Sequence, residues 1–215
     1  MRLYHYLPLR WALENLRNSR LKIATIDDMN DPFEFMCYDS PTRQHRHDFQ
    51  AARSEMGRKF GVLCFSRSWR NPVLWSHYAD RHRGVCLGFD VGDDLVIPVE
   101  YTPHRLELED TLSAGNLTDL TANRWMSTKF EGWQYEDEVR VFPRLELSDA
   151  AGLFFAAFQP KIELKEIIAG PLCSETAAIK ALVVENRVGA VKLIKARLAH
   201  RSFEVVADQR GWPER

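Results

Sequence analysis

The chain has 215 residues, of which 45% are hydrophobic and 27% charged, and its formal net charge is -1 at pH 7. This length can bury a large core without disulfides or metals, and the near-neutral charge excludes a general attraction to nucleic acid or anionic membranes. No apolar run approaches the roughly 18 residues of a membrane helix, and the amino terminus has no signal-peptide core. The four cysteines are widely spaced, so we expect a cytoplasmic protein with free thiols.

The amino-terminal segment predicts a short strand. In Arg2–Leu7, Tyr4 and Tyr6 fall on one face and His5 on the other. A helix follows from Pro8, because proline suits the first turn of a helix. The strand therefore brings an imidazole and two phenol rings close together.

A predicted strand over Leu21–Thr25 leads into a polar turn that carries Asn30, Asp31 and Glu34. The residue before a proline is pushed out of the helical region, so the sequence Asn-Asp-Pro that ends at Pro32 is a strong turn signal. The turn either fixes a corner of the chain through an Asx-type hydrogen bond or presents polar groups to a ligand. Both interpretations stay open.

The polar segment around residues 40–60 predicts a helical insertion. It has five basic and two acidic residues, so it could contact a phosphate backbone, although the charges favour a solvated helix face over that contact. His45 and His47 alternate with arginines in this segment. Since cationic neighbours disfavour a bound metal ion, we assign no metal site.

An aromatic corner is predicted between two apolar strands, Gly61–Ser66 and Gly84–Asp90. The intervening sequence VLWSHYA is helical in character and supplies Trp75, His77 and Tyr78. Aromatic rings of this kind either fill a core or form the wall of a pocket for a flat ring. The sequence leaves both roles open.

The rest of the chain predicts further strands, one more helix and a loop excursion around residues 104–124. The predicted strands are Val96–Tyr101, Ile162–Ala169, Val191–Arg197 and Ser202–Val206. The helix begins after Ser174 and ends between Asn186 and Gly189. The proline in the first of these strands favours an edge position. With no linker and no repeat, the elements predict one α+β domain, rich in antiparallel strands, over residues 1–215.

The stretch that organises the chain is Lys129–Phe142. Polar and apolar residues alternate from Trp133 onward, which predicts a half-buried strand with Glu136, Glu138 and Arg140 on one face. Same-face neighbours on a strand lie roughly 6.5 to 7 Å apart, so two carboxylates would lie side by side. Such a pair can stabilise a cationic, sugar-like transition state. The same pattern also occurs on solvated surfaces with weak ion pairs.

Four segments, taken together and in order, resemble one bacterial family, catalogued as domain of unknown function 2971. They are NDPFE at Asn30–Glu34, LCFS at Leu63–Ser66, NPVLWSHYADRHRGVCLGFD at Asn71–Asp90 and KFEGWQYEDEVR at Lys129–Arg140. The resemblance runs from the first strand to about Gly170. It identifies a family without identifying a substrate.

The order of elements is also similar to that of the ADP-ribosyltransferase superfamily. This resemblance implies a mostly antiparallel split sheet with flanking helices, with NAD bound as a substrate in a cleft. His5 falls at the superfamily's first-strand position, Thr25 near the second-strand position, and Glu136 and Glu138 at the catalytic Glu-x-Glu. The sequence departs from the superfamily in lacking a Ser-Thr-Ser run on the second strand and small residues after His5.

The resemblance implies catalytic roles for Glu138, Glu136 and His5. Glu138 would bind the 2′-hydroxyl of the nicotinamide ribose and stabilise the oxocarbenium charge, and Glu136 would orient or deprotonate the acceptor. A tyrosine or tryptophan would stack on a ring, and a cation would hold the pyrophosphate or fix the carboxylates. The residues implied in NAD binding are Tyr6, Thr25, Asn30, Asp31, Trp75, His77, Tyr78, Lys129 and Arg140.

These roles require the two acids to line one hollow together with His5 and the aromatic corner. The acceptor could be a nucleic acid, a protein, a small molecule or water, and the setting could be a toxin or phage defence. The alternative is a non-catalytic module that binds nucleic acid or protein through Arg43–Lys59 and the aromatic corner, with Arg140 paired to structural glutamates. A hydrolase built on His77 or His82 lacks an evident nucleophile.

Overall fold

Twelve strands and five α-helices lie within residues 1–107, 119–185 and 191–213, the parts of the chain that this computed structural model describes. The helices are α1 (Leu9–Asn18), α2 (Arg43–Lys59), α3 (Pro72–Tyr78), α4 (Asp119–Ser127) and α5 (Thr176–Glu185). The strands are β1 (Arg2–Leu7), β2 (Arg20–Ile23), β3 (Leu63–Ser66), β4 (Val85–Val91), β5 (Ile97–Pro98), β6 (Glu100–Thr102), β7 (Thr128–Phe130), β8 (Glu138–Val141), β9 (Phe154–Ala157), β10 (Ile162–Ala169), β11 (Lys192–Leu198) and β12 (Val205–Ala207).

Eight strands form the main sheet in the order β12-β11-β10-β4-β1-β3-β8-β5. Strands β10 and β11 are parallel, and the other neighbours in this sheet are antiparallel. Two small sheets, β2 with antiparallel β9 and β6 with parallel β7, lie beside it. The prediction of an α+β fold with a mostly antiparallel sheet is therefore confirmed. Pro98 lies on the edge strand β5, as the sequence predicted.

The sheet is weakly joined between β1 and β3. Along these two fully described strands the register is a single residue pair, Tyr4 opposite Ser66, whereas β1 pairs with β4 over its whole length. Next to this pair, the carbonyl oxygen of Cys64 on β3 is bonded by a side chain and not by a backbone N–H of β1: His5 Nδ1 lies 2.7 Å from it. The two strands thus diverge and leave room for a cavity between them.

One face of the main sheet packs on α1 and α5. Leu3, Leu87 and Val139 of the sheet, Leu16 of α1 and Ile179 of α5 belong to one apolar cluster and are almost wholly buried. Burial of such side chains stabilises the fold by roughly 1.5 to 3 kcal/mol for each. This apolar layer holds the sheet in place, and the opposite face of the same sheet carries polar side chains.

The predicted strand from Trp133 to Phe142 is wrong in its first half. A 3₁₀ helix covers Glu131–Glu136, Asp137 has φ of 45°, and only Glu138–Val141 is a strand. The reason is that β3, the partner strand, offers only four residues for pairing, and they pair with residues 138–141. The Asp137 N–H instead bonds the Gln134 carbonyl oxygen at 3.1 Å. Glu136 and Glu138 are therefore not neighbours on one strand.

Two other sequence predictions are wrong in part. The predicted strand Val96–Tyr101 is divided between β5 in the main sheet and β6 in a small sheet, and residues 119–124 of the predicted loop excursion belong to helix α4. The helical insertion is α2, and none of its residues, all of them described, is buried. Residues 108–118 of the predicted loop excursion and the predicted helix end at residues 186–189 lie outside the described residues. All four cysteines are free thiols. In the described parts of the chain, no helix has the length and apolar character needed to cross a membrane.

Candidate functional site

A cavity of about 290 Å³ opens where β1 and β3 diverge. Both strands contribute to its wall, as do the turn after β2, helix α3 and the segment around β7 and β8. Seven of the twelve predicted site residues line it, namely His5, Tyr6, Asn30, Tyr78, Lys129, Glu136 and Glu138. The structure thus brings together most of the side chains that the sequence singled out, from four separate segments of the chain.

A buried cluster of charged side chains lies along this cavity and contributes Lys129, Glu136 and Glu138 to its wall. It contains three carboxylates, Glu34, Glu136 and Glu138, and two cations, Lys129 and Arg140, and no side chain of the five is more than 6% exposed. Lys129 Nζ lies 2.6 Å from Glu136 Oε2, 3.0 Å from Glu34 Oε1 and 3.1 Å from Glu138 Oε2. One ammonium group therefore holds all three carboxylates.

Arg140 is the second centre of the cluster. Its Nε donates to Glu138 Oε1 at 2.9 Å, its Nη2 lies 2.9 Å from both oxygens of Glu34, and its Nη1 donates to the Met126 carbonyl oxygen at 2.7 Å. The side chain is wholly buried and is not part of the cavity wall. Arg140 thus fixes carboxylates, which is one of the two roles implied for it, and cannot reach a pyrophosphate in the cavity.

The alternation along β8 explains how the cluster is built. Glu138 and Arg140 point to the cavity side of the sheet, while Val139 and Val141 belong to the apolar cluster under α1 and α5. The face that carries the charges is buried, with Arg140 at 0% exposure, so the alternative of a solvated surface is wrong. The Glu138 N–H donates to the phenol oxygen of Tyr101 at 2.9 Å, which holds the start of the strand in place.

Glu136 is held by two side chains, one of which is itself held by a third. The Tyr78 hydroxyl donates to its Oε1 at 2.5 Å, Lys129 binds its other oxygen, and Asn30 Nδ2 donates to the Tyr78 hydroxyl oxygen at 2.9 Å. Burial raises the pKa of the Glu136 carboxyl above its ordinary value, although Lys129 and Tyr78 act in the opposite direction. This carboxyl is therefore closer to a protonation change near neutral pH than an exposed glutamate would be.

Glu138 is shifted in the other direction. Burial tends to raise the pKa of its carboxyl, but the charges of Arg140 and Lys129 outweigh burial and hold the pKa well below the ordinary range. Glu138 is thus an anion over the whole physiological pH range. Two neighbouring carboxyls whose pKa values are pushed apart can divide the work of a reaction, one as a fixed charge and the other as a proton carrier.

His5 is present in the cavity wall as a neutral ring. Burial lowers the pKa of its imidazole, and the carbonyl oxygen of Cys64 can only accept, so Nδ1 carries the hydrogen. In this tautomer Nε2 has a lone pair and acts as an acceptor. His5 can therefore accept a hydrogen bond from a ligand, such as an amide or hydroxyl hydrogen, and its catalytic role stays a prediction.

The aromatic corner reaches the cavity through Tyr78 and not through its other two predicted members. Trp75 is wholly buried, donates from Nε1 to the Trp69 carbonyl oxygen at 2.7 Å and meets the Tyr6 ring edge-on at 5.3 Å. His77 is exposed, and its Nδ1 lies 3.2 Å from the Tyr135 hydroxyl. Helical geometry explains the outward position of His77. Trp75 and Tyr78 are three residues apart and share the face of α3 that packs toward the sheet, whereas His77 lies on another face.

Thr25 and Asp31 also lie away from the cavity wall. The Thr25 hydroxyl donates to Asp28 Oδ2 at 3.1 Å and stabilises a short 3₁₀ turn. Asp31 Oδ1 accepts the Phe33 N–H at 2.9 Å, which is the Asx-type corner that the sequence left open as an alternative to ligand binding. These two side chains shape the loop that presents Asn30 to Tyr78.

Glu34 and Tyr101 bond Arg140 and Glu138, respectively, but were absent from the predicted set. Glu34 was noted in the polar turn, but its partner Arg140 is 106 residues further along the chain, and no local pattern reveals that pairing. Tyr101 was assigned only to a strand, and the phenol's contact with the Glu138 N–H depends on how β6 packs beside β8. Both contacts are long-range and need the fold to be seen.

The hydrolase alternative gains a hydroxyl but no working nucleophile. Ser76 Oγ lies 3.1 Å from His82 Nε2, yet its hydroxyl donates to the Pro72 carbonyl oxygen at 3.0 Å. Both groups lie outside the cavity wall.

No family model, curated protein or solved structure matches the chain, so the resemblances that were drawn from its motifs stay predictions.

Proposed function

We propose that this protein is a bacterial NAD-dependent ADP-ribosyltransferase or NAD glycohydrolase. The observation that carries the proposal is one cavity in which Glu136, Glu138 and Tyr78 meet, with the pKa values of the two carboxyls shifted in opposite directions. The mostly antiparallel sheet, weakly joined at the cavity, supports it, because a split sheet around NAD is what the resemblance implies.

Glu138 would act in the bond-breaking step. When the bond between C1′ of the ribose and the nicotinamide nitrogen breaks, the electron pair leaves with nicotinamide and positive charge develops on the ribose. A carboxylate that Arg140 and Lys129 keep ionised can accept a hydrogen bond from the 2′-hydroxyl and stabilise that charge. Because this interaction is stronger in the transition state than with the bound substrate, it accelerates the step.

Glu136 would act in the bond-forming step. Its carboxylate takes a proton from the acceptor, water or another nucleophile, as the acceptor bonds to C1′. Burial raises the pKa of the Glu136 carboxyl, which makes it a stronger base than an exposed glutamate. The Tyr78 and Asn30 hydrogen bonds hold the group in one orientation, as a positioned base requires.

The charges of the cavity favour a cationic ring. Among its described lining residues there are three acidic side chains, Asp28, Glu136 and Glu138, and one lysine, Lys129, with no arginine. The excess of negative charge suits the positively charged pyridinium of NAD, and the phenol rings of Tyr6 and Tyr78 can stack on it. The same proposal includes an acceptor that is a nucleic acid, a protein, a small molecule or water, and a role in a toxin or in phage defence.

The test is nicotinamide release from NAD by the purified protein and by Glu138→Gln. We expect the variant to be slower by about 100- to 1,000-fold, the usual loss when one preorganised charge-stabilising group is removed. Glu163→Gln is the matched control, since the Glu163 side chain on β10 is 55% exposed and is paired to Lys165. Equal rates for wild type and Glu138→Gln would reject the transferase and glycohydrolase activities.

A non-catalytic binding module remains a second candidate, because the full pairing of Glu138 with Arg140 is what that alternative predicted. Its contact surface would be α2, whose described side chains all lie at least partly exposed. In that case nicotinamide release is absent, and RNA or DNA binding weakens steeply with salt. Replacing Arg46 and Arg58 of α2 by glutamine would then reduce nucleic-acid binding. If the protein is instead a transferase, the same replacement should leave NAD turnover unchanged.

A further inference from the structure

A second cavity of about 330 Å³ adjoins the charged cluster and has no part in the proposed reaction. Its wall comes from the polar turn after β2, the segment after β6 and strand β7. It shares Lys129 with the first cavity, and Glu34, which Lys129 and Arg140 hold, lines only the second. A volume of this size lies within the usual range for small-molecule sites.

Two phenylalanine rings stand exposed in the wall of this second cavity. Phe33 is 60% exposed and Phe130 is 55% exposed, although both are large apolar side chains. The guanidinium carbon of Arg105 lies 5.6 Å from the centre of the Phe33 ring. Exposed rings in a concave site next to a cation are suited to a flat aromatic ligand that also carries negative charge.

Besides the cations Arg105 and Lys129, the wall of the second cavity carries several hydrogen-bond acceptors. Thr102 Oγ1 donates its hydrogen to the His104 carbonyl oxygen at 2.7 Å, and Thr128 Oγ1 donates to the Arg124 carbonyl oxygen at 2.6 Å. Each hydroxyl oxygen can then only accept further hydrogen bonds. Asp31 is also an acceptor when ionised, and one of its oxygens takes the Phe33 N–H. A ring that enters the cavity therefore needs N–H donors on its edge.

We infer that the second cavity is a binding site for a purine nucleotide. The base stacks on Phe33 and Phe130, the N–H donors on its edge meet oxygens among those of Asp31 and the two threonines, and its phosphate meets Arg105. The site goes beyond the proposed reaction and stands without it. Because Lys129 lines both cavities, a nucleotide bound here lies next to the ammonium group that holds Glu136 and Glu138.

Calorimetric titration with AMP tests this site without any need for turnover. We expect Phe33→Ala and Phe130→Ala each to weaken AMP binding by about 5-fold or more, the lower end for loss of one base-stacking ring. Phe203→Ala, which removes a ring that is 98% exposed elsewhere, should bind like wild type. The inference would be overturned if wild type did not bind AMP, or if the Phe33 and Phe130 variants bound AMP as tightly as wild type does.

Two further titrations locate the ligand and its source. Arg105→Gln should weaken AMP binding more than adenosine binding, because only AMP carries the phosphate, and Tyr78→Phe should bind AMP like wild type. Loss of AMP binding in Tyr78→Phe with retention in Phe33→Ala would put the nucleotide in the first cavity and refute the second site. A short single-stranded oligoadenylate that binds more tightly than AMP would identify a nucleic-acid strand as the source of the nucleotide.

Discussion

The two faces of β8 are built on opposite principles. On one face Val139 and Val141 join the apolar cluster and need no specific partner beyond close packing. On the other, Glu138 and Arg140 are equally buried but depend on ion pairs and hydrogen bonds with the turn that carries Glu34, with α4 and with β7. A single four-residue strand thus carries both a part of the core and a part of the candidate site.

The difference between the two faces separates what stabilises the protein from what can act. Apolar burial contributes favourably at every position, whereas a buried ion cluster pays for desolvation and is often no more stable than an apolar replacement. Three carboxylates around Lys129 are therefore poorly explained by stability alone. Their position beside a cavity makes function the better explanation, and the following changes test that contrast.

The largest effect is expected from Arg140→Met. Removing the guanidinium leaves Glu34 and Glu138 buried beside only one remaining cation, and breaking a buried pair in this way typically lowers the free energy of unfolding by about 3 to 5 kcal/mol. Urea denaturation measures the change. The matched control is Arg2→Met, whose partner Asp90 is 45% exposed, where about 0 to 1 kcal/mol is expected. Similar losses in the two variants would contradict the contrast between the faces.

A change of intermediate size is expected from pH through Glu138. As pH falls, the unfolded carboxyl binds a proton near its ordinary pKa of 4.5, while the folded carboxyl stays ionised to a pKa of about 2. Proton uptake therefore favours the unfolded state, and stability on the order of 3 kcal/mol is lost between these two pH values.

The signature of this loss is a difference between two proteins. The free energies of unfolding of wild type and Glu138→Gln, followed by urea denaturation across this pH range, should converge as pH falls. Glu163→Gln should keep a constant offset from wild type, since its carboxylate is largely exposed. A constant offset for Glu138→Gln as well would mean that Glu138 is not held ionised by its neighbours.

The smallest effect is expected from Tyr78→Phe. It removes one hydrogen bond to Glu136, which lowers the free energy of unfolding by about 0.5 to 1.5 kcal/mol. That bond favours the ionised carboxylate, so its loss raises the pKa of Glu136 further, and the acid limb of nicotinamide release should move to higher pH. Tyr4→Phe, whose hydroxyl bonds Glu166, should leave the acid limb where it is. An unshifted limb in Tyr78→Phe would remove Glu136 from the role of base.

Local patterns in the sequence predicted much of this arrangement. Alternation placed Glu138 and Arg140 on one face. The ordered motifs contain Asn30 and Tyr78, and the element order selected His5 on the first strand; these three residues meet at the cavity. Alternation cannot tell which face is buried, so a solvated surface remained open. The 3₁₀ helix before Asp137 was not predicted either, because the length of the partner strand β3, which the local pattern does not reveal, decides where strand pairing stops.

The most direct test of the central claim is a crystal structure of Glu138→Gln soaked with NAD. The substitution keeps the shape of the side chain and slows turnover, so intact substrate should be seen. We expect the nicotinamide ribose in the cavity between β1 and β3, with its 2′-hydroxyl within hydrogen-bond distance of position 138 and the pyridinium against Tyr78. NAD bound away from this cavity, or an empty cavity at saturating NAD, would contradict the account.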